Sequence, residues 1–296
     1  MFSPDFTLSP LLQRQLLTIE RTRGFLEAVR LKPDWAARTR HQVTVEDALA
    51  SVQVEGSSLT REEAFALADE APDRELRDSE QEFLNMLRAF RAIEDLKGER
   101  DYTVRARDLR GIQGILVDGV RGGHRHAGRF RQEAVAVGDR VDGEVVVHHQ
   151  PPSWTEVEAE IETLLDWMER VKQKPSSARA HRGAPDPWTH PVLVAGIVQH
   201  RLVWIHPFVD GNGRSARMFS TLLLHQRGYD FQYLFNLSDY YNRNRDKYYQ
   251  ALRTADETGD YTRWLEYFCG GFSLQMFRIR KQAAANAAAV SAAVEG

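Results

Sequence analysis

One stretch narrows the accessible folds more than any other. From Pro191 to Ile205 the chain is almost unbrokenly apolar, and at His206 it turns through Pro207, Gly211 and Gly213 before helix-compatible residues resume. An apolar run of this kind, opened by a proline, reads as a helix buried on every side. A second helix is predicted to start near Gly213 and to end before Gly228. Helical periodicity dominates elsewhere too. Leu11, Leu12, Leu16, Ile19, Leu26 and Val29 recur at helix spacing until Pro33 breaks the pattern. A shorter helix should run from about Val45 to Val54 and stop at Gly56, a residue suited to a helix C-terminus. Thr60 with Glu63, and Ser153 with Glu156, have the spacing of capping boxes. Amphipathic stretches follow near 78–97, 105–117 and 154–172. A Pro-, Ser- and Gly-rich loop spans Pro175 to Pro187, and two more helices cover about 243–256 and 260–281. The Ala-rich end, Ala283 to Ala293, suits either a frayed helix or a disordered tail.

One segment departs from the helical rule. Glu133 to Val137 reads EAVAV and Glu144 to His148 reads EVVVH, with the turn dipeptide Asp142-Gly143 between them. This predicts a β-hairpin inserted into a helical domain. Its exposed edge offers backbone groups to another chain, and a surface hairpin without a role is the plain alternative.

The chain has 296 residues and a net charge of -3, which supplies no general attraction to nucleic acid. Its single cysteine, Cys269, rules out an intrachain disulfide framework and a thiolate zinc cluster. The start, MFSPDFTLSP, carries no basic and apolar leader, and no apolar run approaches the roughly 20 residues that span a bilayer. The expectation is a soluble cytoplasmic protein with neither membrane nor nucleic acid as its main partner.

The chemistry concentrates between His206 and Arg217, in the run His206-Pro-Phe-Val-Asp210-Gly-Asn-Gly-Arg214-Ser-Ala-Arg217. Gly211 and Gly213 let backbone N–H groups converge, and the helix beginning there is an anion site. Asn212 adds a side-chain donor. Arg214 and Arg217 stand one helical turn apart and lean toward the same anion. Asp210 lies where a carboxylate can hold Mg²⁺ against phosphates. His206 can take a proton near neutral pH. Cradle, metal carboxylate and base together describe phosphoryl or nucleotidyl transfer. The loose dinucleotide fingerprint from Gly211 to Ala216, with Asp230 as its acidic residue, needs an uninterrupted strand before Gly211, and Pro207 and Asp210 interrupt it. A mere helix stop and turn would not gather these groups so densely.

The run resembles the signature of the Fic family, H-P-F-x-[DE]-G-N-G-R-x-x-R, at every defined position. Further segments are similar to that family: Gly128-Arg129-Phe130-Arg131 with Val146-Val147-His148-His149-Gln150-Pro151-Pro152 to its flap, His190-Pro191 through Ile205 to its preceding helix, and Tyr248-Tyr249 with Ala251-Leu252 to its adenosine segment. The resemblance spans roughly 90–270. It implies a mainly α, Fic-type helical bundle with an inserted β-hairpin flap, and transfer of AMP from Mg·ATP to a Ser, Thr or Tyr hydroxyl. His206 would be the base and Asp210 the Mg²⁺ ligand. Gly211, Asn212 and Gly213, with Ser215 and Ala216 behind them, would form the phosphate hole, and Arg214 and Arg217 would bind the outer phosphates. Val146, Val147, His148 and His149 would cover the nucleotide, and Tyr249, then Tyr248, would meet adenosine. Phe208 would be a core anchor. The Doc-type kinase branch carries lysine at the position of Gly213, so glycine favours AMP transfer.

Ser51-Val-Gln-Val-Glu55-Gly56 resembles the family's inhibitory motif, [ST]-x-x-x-E-[GN]. Ser51 and Glu55 share a helix face, and the resemblance implies that Glu55 pairs with Arg217 where a γ-phosphate would sit. The implied layout is an N-terminal helical region over 1–90, a catalytic domain over 91–270, and a C-terminal helix and tail over 271–296. Targets would be proteins with a modifiable hydroxyl or the chain itself, and homo-oligomers stay open. Three other uses of the site remain: hydrolysis of AMP from a modified protein, transfer of another nucleotide or head group, and nucleotide-dependent binding without catalysis. His124 with His126, and His148 with His149, lack a third ligand for a metal. His200 reads as a core histidine.

Overall fold

The computed structural model describes residues 1–29, 31–70, 72–97, 102–120, 125–141, 144–173, 190–229, 231 and 236–295. In chain order the helices are α1 (Pro10–Ala28), α2 (Pro33–Val54), α3 (Arg61–Asp69), α4 (Asp78–Lys97) and α5 (Ala106–Leu116). The strands β1 (Val137–Val141) and β2 (Glu144–His149) follow. After them come α6 (Val157–Gln173), α7 (Pro191–Ile205), α8 (Asn212–Gln226), α9 (Ser238–Arg243), α10 (Arg245–Thr258) and α11 (Thr262–Glu295). The mainly α class with one inserted hairpin is as the sequence predicts.

Helix α7 is the central rod. His190 caps it, its Nδ1 accepting from the Val192 N–H at 3.3 Å, and Pro191 occupies the first turn. Both faces are buried, from Val192 and Leu193 to Leu202 and Ile205. Close approach of α11 depends on Gly196: a Cβ there would meet Phe268 at 3.0 Å and Leu265 at 3.1 Å. The Gly196 carbonyl accepts the indole N–H of the fully buried Trp264 at 2.7 Å. Helix α8 returns along α7, α1 covers α11, and α2 packs on α4 and α9. The N-terminal helices are thereby built into the same core as α7 and α8.

Several predicted boundaries move. Helix α2 begins at Pro33, three turns before Val45, because Pro33 supplies the first turn of a new helix as well as ending the earlier pattern. The first strand is 137–141, not 133–137. A two-residue turn pairs the residues that flank it, and Val141 indeed faces Glu144. The turn itself, Asp142-Gly143, lies outside the described residues, as do Pro175–Pro187, His124 and Asp230. A bulge sits between Val137 and Gly138, where a Cβ would overlap the Val146 carbonyl oxygen. The C-terminal helix continues to Glu295, since alanine propagates a helix already packed at its start. Thr60 and Glu63 close a full capping box at 3.2 and 2.9 Å. Glu156 bonds back to the Ser153 N–H at 3.1 Å, whereas the Ser153 hydroxyl turns to Thr155.

Candidate active site

Helix α7 ends at His206, whose backbone is left-handed with φ 50° and ψ 59°. A side-chain-bearing residue adopts this conformation only where its surroundings hold it. Arg131 holds it. Its Nε donates to the His206 carbonyl at 2.8 Å, Nη2 to Ile205 O at 3.4 Å, and its backbone N–H to Pro207 O at 2.9 Å. The same buried guanidinium donates to Glu133 O at 3.1 Å and Pro152 O at 2.6 Å, at the two feet of the hairpin. One side chain thus fixes the base and the flap together. The sequence marks Arg131 only as part of the flap's resemblance.

The His206 Nδ1 lies 3.3 Å from the Val203 carbonyl. A carbonyl only accepts, so Nδ1 carries the hydrogen and the Nε2 lone pair is left for an incoming proton. Burial pushes this imidazole down to about 4; His149 adds to the depression, and the Val203 bond and Glu55 oppose it. The ring is therefore neutral at neutral pH, the state a base requires.

Beyond His206 the chain folds over a buried aromatic. Phe208 is fully buried and packs on Phe130 with centroids 5.5 Å apart. The Asn212 carboxamide accepts from Phe208 N at 2.8 Å and donates to Phe208 O at 2.8 Å. It closes the loop, so the side-chain donor expected to face a phosphate is committed to the backbone. Gly211 has φ +79°, and a Cβ there would come within 3.0 Å of Val117. Buried Gln113 of α5 ties the loop to the hairpin side, donating to Asp210 O at 3.1 Å and accepting from Gly128 N at 2.7 Å. Asp210 Oδ1 accepts from Gly211 N at 2.6 Å and lies 3.4 Å from Arg214 Nη2, while its side chain stays 46% exposed.

Arg214 and Arg217 are buried on α8, with Ser215 and Ala216 between them. Arg214 Nη1 stands 3.4 Å from Glu82 Oε1, a buried carboxylate of α4. The sequence gives no hint of Glu82, because periodicity places it on a helix without saying what that helix faces. Arg217 Nη2 is 2.8 Å from Glu55 Oε1, its Nε donates to Ser51 Oγ at 3.1 Å, and Nη2 donates to Ser51 O at 2.9 Å. Glu55 follows the last turn of α2, and Gly56, with φ +95°, turns the chain away. Burial raises the Glu55 carboxyl, but the Arg217 charge and hydrogen bond outweigh it and hold the group below the usual carboxylate range. A Cβ at Gly213 would overlap Glu55 Oε1 and stand 3.1 Å from Arg217 Nη1. The carboxylate therefore lies on the first turn of α8, where the helix dipole favours an anion. Arg214 Nε and Nη1 and Arg217 Nη1 are buried yet make no hydrogen bond. Such donors fit an anion with several acceptor oxygens.

The remaining predicted residues divide between surface and core. Val146 and Val147 are exposed on β2 beside exposed His148. His149 turns inward, its Nε2 2.8 Å from Trp204 O and its Nδ1 3.7 Å from Asp256 Oδ2. Tyr249 is half-buried with its hydroxyl 3.4 Å from Val54 O, beside the inhibitory helix end. Tyr248 is buried and stacks on Tyr241 at 4.6 Å, so packing takes its ring faces. His200 is a core histidine, Nε2 being 3.1 Å from Leu252 O and 3.2 Å from Asp256 Oδ1. Among the described residues no group of three His, Cys, Asp or Glu side chains could hold a metal, and no helix is long and apolar enough to cross a membrane.

Comparison with known proteins gives a consistent picture. Residues 103–224 match the family model described as Fic/DOC family. The chain is 26% identical over 251 residues to a protein adenylyltransferase Fic from Drosophila willistoni, covering 83% of this chain and 43% of that protein. The Drosophila melanogaster protein of the same name is 27% identical, with 83% and 44% covered. The chain thus spans less than half the length of these curated relatives. Among solved structures, a Fic family protein from Desulfovibrio desulfuricans G20 superposes with a TM-score of 0.74 at 23% identity, covering 95% of this chain and 77% of that one. Fic-1 from C. elegans gives 0.70 at 19% identity, with 92% and 72% covered. These two likenesses establish a shared fold.

Proposed function

We propose that this chain, which carries a Fic domain over residues 103–224, transfers AMP from ATP to a protein hydroxyl and is restrained by Glu55. The observation that carries the proposal is the convergence of a neutral His206 with a free Nε2 and two buried arginines with unused N–H groups at the start of α8. His206 Nε2 takes the proton from the target hydroxyl as its oxygen attacks the α-phosphorus. The bond to the bridging oxygen breaks and pyrophosphate leaves. Arg214 and Arg217 hold the outer phosphates, and the first-turn N–H groups of α8 face the α-phosphate. Once Glu55 moves off the bare face of Gly213, that space admits the outer phosphates beside Arg217, and the exposed edge of the hairpin offers backbone groups to the target.

Asp210 fits Mg²⁺. Its Oδ1 is held by Gly211 N and its side chain is half exposed, and this ion commonly takes one or two carboxylates, completing its shell with phosphate oxygens and water. When bound, the ion would neutralise charge on the phosphates. Asp210→Ala is expected to abolish transfer at ordinary Mg²⁺ and to flatten the Mg²⁺ titration. Full activity with an unchanged titration would move the metal role to another residue.

The low position of His206 gives a pH prediction. The base works when neutral, so kcat/KM should stay level from pH 7 down to about 5 and fall as the pH drops through about 4. An ordinary imidazole would instead break near pH 6.5. A break at the ordinary position, after allowance for the ionisation of ATP, would contradict the desolvated neutral base.

The function is tested by counting products. The Glu55→Gly protein is incubated with ATP and a cell lysate, pyrophosphate release is followed, and AMP adducts on proteins are counted by mass spectrometry. Matching yields support transfer. Pyrophosphate without adducts would indicate hydrolysis, and neither product with ATP bound would indicate a binding module.

A further inference from the structure

A cavity of about 370 Å³ opens between α2, α3, α9 and α11, on the side of α2 reached by Gln53 rather than Glu55. Its size falls within the range of about 300–1,000 Å³ usual for small-molecule sites. Leu49 and Ala50 of α2 and Ile279 of α11 form apolar walls, all nearly fully buried. Gln275 also lines it. That side chain is only 6% exposed, and its Nε2 has no hydrogen-bond partner. A buried amide donor without a partner is unfavourable unless something completes it.

The charges around this cavity are unbalanced. Arg61, Arg243 and Arg278 line it together with two carboxylates, Glu46 and Asp239. Arg61 reaches Glu46 at 2.8 Å and Arg243 reaches Asp239 at 2.7 Å, whereas Arg278 is left with the other Asp239 oxygen at 3.5 Å. A guanidinium has five N–H donors, so each of these single contacts leaves donors over. The surplus is one positive charge and several N–H groups around a pocket with a buried amide donor on its wall.

We propose that this cavity binds a small oxyanion-bearing molecule, its phosphate or carboxylate group read by Arg243 and Arg278 and a further acceptor read by Gln275. Planar guanidinium forks match both kinds of group. The site is separate from the catalytic loop, and its occupant lies against α2, the helix that carries Ser51 and Glu55. Gln53 Oε1 accepts from Asn242 Nδ2 at 2.8 Å and Gln53 Nε2 donates to Leu59 O at 2.9 Å, so the wall nearest Glu55 is itself hydrogen-bonded.

The test measures binding and is independent of AMP transfer. Pyrophosphate and citrate are titrated calorimetrically at matched ionic strength into wild type, Arg217→Ala, Arg243→Ala/Arg278→Ala and Gln275→Leu proteins. Saturable binding of at least one probe is expected in wild type, and it should persist in Arg217→Ala, which disables the catalytic cradle. It should weaken about tenfold or more, some 1.4 kcal/mol, in the double variant, and measurably in Gln275→Leu, which keeps the proposal testable if the double variant fails to fold. A response to pyrophosphate alone identifies a phosphate site, and a response to citrate a carboxylate site. No saturable binding, binding lost only in Arg217→Ala, or binding indifferent to the cavity variants would each overturn the proposal.

Discussion

Glu55→Gly is expected to raise AMP incorporation roughly 30- to 150-fold. The reasoning is competitive. Glu55 Oε1 sits 2.8 Å from Arg217 Nη2 and against the bare face of Gly213, where the outer phosphates of ATP would also need to lie. Two anions cannot share this arginine without strong repulsion. ATP must either displace the carboxylate or bind twisted, with its α-phosphate out of line for attack. If removing the carboxylate lowers the barrier by about 2–3 kcal/mol, the stated gain follows, since about 1.4 kcal/mol is tenfold in rate. Adding Arg217→Ala should reverse the gain, because the phosphate clamp is lost with it. A side effect follows from the same geometry. Glu55→Gly leaves Arg217 buried without its carboxylate, so the variant should unfold at lower temperature without nucleotide, and ATP should restore its stability more than that of wild type. A folded, ATP-binding variant that labels no faster than wild type would remove the inhibitory role and leave the catalytic loop standing.

His206→Ala in the Glu55→Gly background should lower transfer by about 10²- to 10⁴-fold, the usual worth of a positioned general base. ATP affinity should hardly change, because no phosphate-binding donor comes from the His206 side chain. Loss of rate with binding intact separates a chemical role from a structural one. The left-handed backbone at residue 206 qualifies this slightly, since alanine is no better suited to φ 50° than histidine. Arg131 still holds three successive carbonyls around the turn, so the fold of the loop should persist. Equal loss of ATP affinity and rate would show that the substitution had disturbed the cradle instead.

Much of this site is legible in the sequence because its chemistry is local. The extent of α7 follows from an apolar run with a proline at its head, and the start of α8 follows from two glycines beside a polar loop. The Glu55 pairing with Arg217 is also foreseen, although only through resemblance, while the Ser51 bonds to Arg217 are not; periodicity alone places two residues on one helix face without naming the partner. What sequence misses is tertiary. Arg131 acts through carbonyls far along the chain, Glu82 reaches Arg214 from another helix, and Gln113 bonds both the Asp210 carbonyl and the Gly128 amide. None of these has a fixed spacing to read. The early start of α2 is hidden because Pro33–Thr44 has few apolar residues, so the helix there rests on its proline start and its continuation. The register of β1 was recoverable from the turn, since a two-residue connection leaves only one set of neighbours.

The central claim concerns which phosphorus is attacked, and one labelling experiment addresses it. The Glu55→Gly protein is given ATP labelled on either the α- or the γ-phosphate, with lysate proteins as acceptors, and label retained on protein is measured. The account predicts stable label from the α-phosphate and none from the γ-phosphate. Label transferred from the γ-phosphate, or none from either while ATP is bound, would contradict it.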